Sequence, residues 1–509
     1  MCMSTVDTTH EVMIVLKMPA VSGKSDAVSC EVDSSVDEKR PAGDAIAAYA
    51  RYVDRSQALE RAHALTEETL SVTGRGVNLT EADLSGLDLS SFDLRFAILN
   101  RASLFGTKFI GADLTGASMV CAGLERTDFT DAVLVGAYVH ALAAQASAFT
   151  RADMTGVVDG TGALFHGCNL DAARLDDAEL AGTTFYQCSL VDARVNGTDL
   201  HGAMFNECQM AGTDLTRARL SDAVITRSNL SALVLDHARG AGLVIQRPTA
   251  ADALSMRDAH LPGLRLTHVR AGGLVGSGLS ARGIDVHACH LAGADFSSAD
   301  LTRGRVDGCG LDNATFAGAD LTGSTWSGIG GTGIDATGAT GEGLTATECM
   351  FVDAVFASFA GRYATFRNCD MRAADFRGAY LYRATFVGDP PSSARLIGAC
   401  FDGANLTQAY LAADFTNASI RQALATYARV NQAIFVGSDL SGTSLFRASA
   451  VKTQFTKARM VGQRGAIFAD RCPGLVDALH EGEDQDSANT AEWVAELTAL
   501  MQRDSGKST

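Results

Sequence analysis

An apolar residue returns at every fifth position over most of the chain. The first unbroken run holds Leu79, Leu84, Leu89, Leu94, Leu99, Leu104, Phe109, Leu114, Met119, Leu124, Phe129 and Leu134, and small residues such as Ala82, Ala97, Ala102, Ala112 and Ala117 sit two places before members of it. A helix repeats about every 3.6 residues and a strand every two, so neither predicts a period of five. A second run goes from Phe165 to Leu235, a third from Leu291 to Trp326 with a continuation in the same register from Phe351 to Phe386, and a last one from Phe401 to Met460. The pattern therefore marks an internal repeat of five residues, with one large and one small position at fixed places in each unit.

Blocks such as "GADLTGASM", "GANLT" and "GSDLS" resemble the alanine, aspartate or asparagine, leucine pattern of the pentapeptide-repeat family, over roughly residues 77–471. The resemblance implies an all-β solenoid, a right-handed quadrilateral β-helix in which four pentapeptides make one coil, here about 19–20 coils of about twenty residues. In such a coil the central Leu or Phe and the small residue two before it both point inward. Backbone groups not used inside a coil pair with the coils above and below, as buried amides must.

Seven of the twelve cysteines share one site in this frame. Cys168, Cys188, Cys208, Cys289, Cys309, Cys349 and Cys369 each lie two before a central position, at steps that are multiples of twenty within each group. That spacing predicts a structural interior column. A tetrahedral metal site needs converging ligands, whereas a ladder at about 4.8 Å spreads them along a line. A disulfide needs side chains turned toward each other, which stacked neighbours in register do poorly. Cysteine as a small, readily buried residue accounts for the column without chemistry.

The period falters near 155–162, 236–286, 328–343 and 388–395, where irregular loops are expected; "GDPPSSAR" in the last holds the sole Pro-Pro. Before the coils, residues 1–40 read as disordered or weakly structured and 41–76 as a helical N-terminal cap, since a β-stack needs its end edges covered. After them come an acidic linker over 472–486 and an amphipathic helix over 487–503. Trp493, Val494, Leu497, Leu500 and Met501 share one face of that helix, which serves as a cap or as the seam of a homodimer.

Composition adds bounds. The 509 residues are 47% hydrophobic, enough for a packed core, and no run reaches the ~18 apolar residues of a membrane-spanning helix. With no export signal evident, the reading is cytoplasmic, with a non-classical secretion route left open. The net charge of −17 is unevenly spread: −9 over residues 77–200, −4 over 201–350 and +6 over 351–471. Asp83, Asp88, Asp93, Asp113, Asp128 and Asp153 make a candidate acidic surface at one end, and Arg367, Arg372 and Arg377 a candidate basic one at the other.

No catalytic constellation emerges, and no cofactor or metal is expected. There is no phosphate-binding loop, nucleophile elbow or paired-Cys zinc spacing, and "GIGGTG" lacks the strand-to-helix context of a dinucleotide loop. His287 and His290 of "HACH", with His268 near, lack a closing ligand. The leading functional reading is a non-enzymatic protein-interaction scaffold, the usual employment of solenoids, with a protein partner. The resemblance also implies an alternative, protection of a type II topoisomerase (gyrase or topoisomerase IV) from a toxin or antibiotic by mimicry of duplex DNA. Against a whole-length mimic, B-DNA carries a charge per roughly 1.7 Å while the acidic coils carry one per roughly 3.3 Å. A weaker alternative is a secreted or injected bacterial effector. Direct nucleic-acid binding is not expected.

Overall fold

The computed structural model describes residues 7–8, 11–12, 74–389, 394–465 and 467–480. Asp7–Thr8 and Glu11–Val12 form a short antiparallel pair. The N-terminal helical cap expected over 41–76 lies, apart from residues 74–76, outside the described residues; so does the C-terminal helix with Trp493, Val494, Leu497, Leu500 and Met501. The chain divides into two compact units, Met1–His260 and Leu261–Thr509. The described coils of each form a four-sided parallel β-solenoid.

The first unit shows how five residues make a side. The Ala82 amide donates to the Leu79 carbonyl at 3.1 Å, closing a four-residue turn whose third residue, Glu81, has φ 60°. The next three corners place Gly86, Ser91 and Phe96 there, at φ 74°, 60° and 61°. Positive φ at the third residue is what a type II turn requires. Between corners the backbone pairs with adjacent coils: Leu79 N–H donates to Ile98 C=O at 2.7 Å, and Ile98 N–H to Val77 C=O at 2.8 Å. The repeat's aspartates lock the corners, because Asp83 Oδ1 accepts the Ser85 amide at 3.1 Å and Asp113 Oδ1 the Thr115 amide at 3.0 Å.

One face of this unit extends into three-residue strands that pair in parallel: Gly123–Glu125, Ala143–Gln145, Leu164–His166, Thr184–Tyr186, Met204–Asn206, Val224–Thr226 and Val244–Gln246. The middle residue of each points inward and is buried. Phe109, Phe129 and Phe149 stack with centroids 4.9 and 5.0 Å apart, and Phe165, Phe185 and Phe205 at 5.0 and 4.8 Å. One-rung separation equals the aromatic stacking distance, so identical rings can fill one column without a gap.

The second unit repeats the plan, with parallel strands from Arg265–Thr267 to Thr385–Val387, then Tyr410–Ala412, and a final pair Ala448–Val451 and Ile467–Asp470. Its aromatic columns include Phe356, Phe376 and Phe401, and Phe415, Phe435 and Phe455.

Three of the four expected loops are coil instead. Near 155–162 a single extra residue lengthens one coil, so Ala143 pairs with Leu164 at a step of 21. Within 236–286 another single insertion makes Asn229 pair with Ala250, and regular rungs follow. Residues 328–343 hold no insertion: Gly310 pairs with Gly330, and Asp320 with Thr340. The stretches within 236–286 and 328–343 lose the sequence signal because the two inward sites exchange sizes. Leu274 and Leu279 stand two before Gly276 and Ala281, and Ile329 and Ile334 two before Gly331 and Ala336, with these large side chains buried. At 388–395 five residues are inserted, since Thr385 pairs with Tyr410, and residues 390–393 of this loop lie outside the described set. The expected acidic linker over 472–486 begins instead with a short helix, Leu475–His480, whose Leu475 and Ala478 are buried; apolar side chains covering the coil favour helix there over open linker.

Candidate functional site

The cysteine column is internal and built for hydrogen bonding. In the first unit Cys168, Cys188 and Cys208 are buried free thiols, and Thr107, Thr127, Ser147 and Ser228 occupy the same column. Cys188 Sγ donates to the Phe165 carbonyl at 3.2 Å, Cys208 Sγ to Phe185 at 3.3 Å, and Thr127 Oγ1 to Leu104 at 2.6 Å. The acceptor is the central carbonyl one rung below. In return, the amides of Thr127 and Cys208 donate to Ser147 Oγ (3.1 Å) and Ser228 Oγ (3.0 Å) one rung above. Cys, Ser and Thr share a small volume and a donor hydrogen, and buried backbone groups require such partners.

In the second unit Cys289, Cys309, Cys349 and Cys369 behave alike, with Cys289 Sγ donating to Leu266 at 3.3 Å and Cys369 Sγ to Ala346 at 3.5 Å. Contacts between neighbouring thiols divide the column: hydrogen bonding to Cys188, Cys309 and Cys349, with burial, pushes Cys168, Cys289 and Cys369 far up, while the hydrogen bonds that Cys208, Cys309 and Cys349 receive from Cys188, Cys289 and Cys369 move those three below the usual thiol value. All seven are sealed from solvent by the coil, and a reactive thiol needs access as well as charge. Among the described residues no group of three or more His, Cys, Asp or Glu could hold a metal ion. His287 pairs with Asp307 at 3.0 Å, and its ring lies 6.0 Å from that of His268; His290 stands at the next outward position along the chain.

The six candidate aspartates do not form one patch. The bridges put Asp93, Asp113 and Asp153 on one face, Asp88 and Asp128 on a second with Lys108 between them, and Asp83 on a third. Arg95 lies 2.5 Å from Asp93 and 3.5 Å from Asp113, and Arg174 lies 3.4 Å from Asp153. The three candidate arginines are also divided among faces and neutralised. Arg367 reaches Asp389 at 3.2 Å, Arg372 reaches Asp370 at 2.8 Å, and Arg377 reaches Asp375 at 2.5 Å.

A surface feature absent from the sequence reading lies on the strand face of the first unit. A shallow groove of about 320 Å³ is lined by Ser103, Phe105, Gly123, Glu125, Ala143, Gln145, Leu164 and His166. Gly123 and Ala143 project little, while Phe105 below and Leu164 above are 43% and 44% exposed. Two small rungs between two large ones therefore make a dent with an apolar floor. Arg126 lies 5.9 Å from the Phe105 ring centroid, and the His166 ring 5.1 Å from that of Tyr186.

The repeat itself has relatives. A family model described as pentapeptide repeats matches in eight copies within residues 97–136, 163–202, 196–231, 289–328, 362–388 and 426–460. The chain is a pentapeptide-repeat protein. Solved structures similar to this pentapeptide-repeat protein include QnrB1, a plasmid-mediated fluoroquinolone resistance protein, at 20% identity, covering 36% of this chain and 89% of that one with a TM-score of 0.17. HetL, a pentapeptide repeat protein involved in heterocyst differentiation regulation from the cyanobacterium Nostoc, is 16% identical, over 61% of this chain and 98% of its own, with a TM-score of 0.13. A pentapeptide repeat protein from the Arabidopsis thaliana thylakoid lumen is 27% identical over 26% of this chain and 68% of its own, with a TM-score of 0.09. No curated protein matches. No described helix is long and apolar enough to cross a membrane.

The pentapeptide repeat governs inward positions, and the groove is made by outward ones. Phe105 follows a central Leu104, and Leu164 precedes a central Phe165; they stand on the two outward columns of the strand face, at opposite ends of the groove, with the Gly123 and Ala143 rungs between them.

Proposed function

We propose that this pentapeptide-repeat protein is a non-enzymatic protein-interaction scaffold. The observation that carries the reading is the groove of the first unit, where exposed Phe105 and Leu164 flank Gly123 and Ala143, and Glu125, Gln145 and His166 supply polar edges. An apolar centre with a polar rim is the anatomy of a protein contact surface. The interior argues the same way, because the inward columns are filled by stacked Phe, Leu, Ala and Cys side chains that leave no room for a substrate. The topoisomerase reading has weaker support. Its aspartates are spread over three faces and partly neutralised by Arg95 and Arg174, unlike the continuous charge of a duplex.

The test is capture of binding proteins from a native lysate on the immobilised chain and on a Phe105→Glu/Leu164→Glu variant of unchanged circular dichroism. The scaffold reading expects a protein retained by the first and lost from the second. Equal retention on both would remove the groove from the account. Purified gyrase binding at low salt, abolished by neutralising Asp93 and Asp113, would instead favour the topoisomerase reading.

A further inference from the structure

One corner of the second unit carries a seam of arginines and aromatic rings, broken at one rung by Thr407 and Gln408. Outward positions Ala360, Tyr380, Asn405, Leu424 and Ser444 bridge in succession, so the corners that follow them stack. Corner amides give the same order: Tyr363 N–H donates to Tyr382 C=O at 3.0 Å, Arg383 to Thr407 at 3.0 Å, Gln408 to Thr426 at 2.9 Å and Tyr427 to Phe446 at 2.9 Å. The Arg362 guanidinium lies 4.8 Å from the Tyr363 ring centroid, Arg383 5.3 Å from that of Tyr382, and Arg447 5.3 Å from that of Phe446. These rings are exposed: Tyr363 by 38%, Tyr427 by 44% and Phe446 by 43%.

Charge on this strip is unbalanced. Arg372, Arg377 and Arg421, on other sides, each hold an aspartate within 2.8 Å. Arg383 instead donates to Gln408 Oε1 at 2.6 Å and Arg447 to the Tyr427 hydroxyl at 3.2 Å, and among the described residues no carboxylate lies within ion-pair reach of either. Glu342, 4.0 Å from Arg362, closes the lower end, and the outward positions flanking the seam up to Ser444 and Ser449 hold no Asp or Glu. Tyr and Arg together are the residues that dominate binding energy at protein contacts.

We propose that this seam docks an extended, acidic segment of a partner protein, a deepening of the scaffold reading that rests on it. Arg383 and Arg447 stand three rungs apart, roughly 14 Å at about 4.8 Å per rung. An extended chain covers that span in about four residues at ~3.4 Å each, with the intervening same-side residue at the midpoint. The geometry therefore selects carboxylates at positions i and i+4 with an apolar side chain at i+2, between the Gln408 and Tyr427 rungs and beside the exposed Tyr427 ring. A nucleic-acid strand needs a run of open ring faces on which successive bases stack, and here a guanidinium already lies by each of Tyr363, Tyr382 and Phe446. The chain's net charge of −17 also repels a long polyanion more than a short acidic peptide.

The experiment is fluorescence anisotropy of the full chain with a labelled peptide of sequence Glu-Ser-Leu-Ser-Glu-Ser-Leu-Ser-Glu, its Gln-for-Glu counterpart, and labelled oligothymidylate, at low and at high salt. The proposal expects binding of the Glu peptide that weakens at least tenfold with Gln, with added salt, and in an Arg383→Ala/Arg447→Ala variant of unchanged circular dichroism. Absence of binding, equal binding of the Gln peptide or of the variant, or tighter binding of oligothymidylate would each overturn it. The Phe105→Glu/Leu164→Glu variant, which alters only the first unit, is expected to keep peptide binding; a captured partner retained equally by it would sink the groove while peptide binding still upheld the seam, and failure of the Gln-peptide or arginine-variant controls alone would sink the seam and leave the groove standing.

Discussion

Cys188 gives its thiol hydrogen to the Phe165 carbonyl and sits where Thr127 gives a hydroxyl hydrogen to the Leu104 carbonyl. The donor, not the sulfur, is what the column requires. Cys188→Ser is therefore expected to cost less than about 1 kcal/mol, whereas Cys188→Ala, which leaves the buried Phe165 carbonyl without this donor, costs about 1–3 kcal/mol. Urea unfolding of the two variants checks the ordering, and equal losses would mean that volume alone matters. The column's interior position was legible in the sequence through the step of twenty. Its reason was not: the hydrogen bond spans 23 residues and becomes visible only when coils are stacked.

At the scale of the coil, the backbone ladder constrains the sum of the two inward side chains more than their order. Gly341 illustrates the exchange, since a Cβ there would run into the Phe359 ring that fills the space it leaves. Phe359→Ala is expected to cost about 3–5 kcal/mol. Gly341→Ala alone overpacks the site at about 1–3 kcal/mol, and because the residues are neighbours the double variant costs less than the sum. Denaturation of the three variants measures the coupling; strict additivity would contradict the shared space. This exchange is also why 236–286 and 328–343 read as irregular. Period-five reasoning followed the large residue, and there the large residue had moved two places along the chain.

At the scale of the whole molecule, inward positions specify the fold and outward positions are free to specify contacts. Some surface charge is spent locally: hydrogen bonds from Arg95 and Arg151 hold the Asp93 and Asp131 carboxyls below the usual range. A depressed folded value means that this stabilisation is complete above the unfolded value of about 4 and is lost as pH falls through the folded one. The melting temperature is thus expected to be flat between about pH 7 and 5 and to drop below about pH 4, most steeply at low salt, as thermal scans would show. Outward sites left little trace in the sequence. The groove joins Phe105 to Leu164, 59 residues on, and the seam joins Arg383 to Arg447, 64 residues on, through rungs whose steps are not all equal. The central claim, that outward surfaces bind protein, is tested most directly by the affinity of a captured partner for the chain and for its Phe105→Glu/Leu164→Glu variant. The account predicts at least tenfold weaker binding by the variant at an unchanged fold; equal affinity would contradict it.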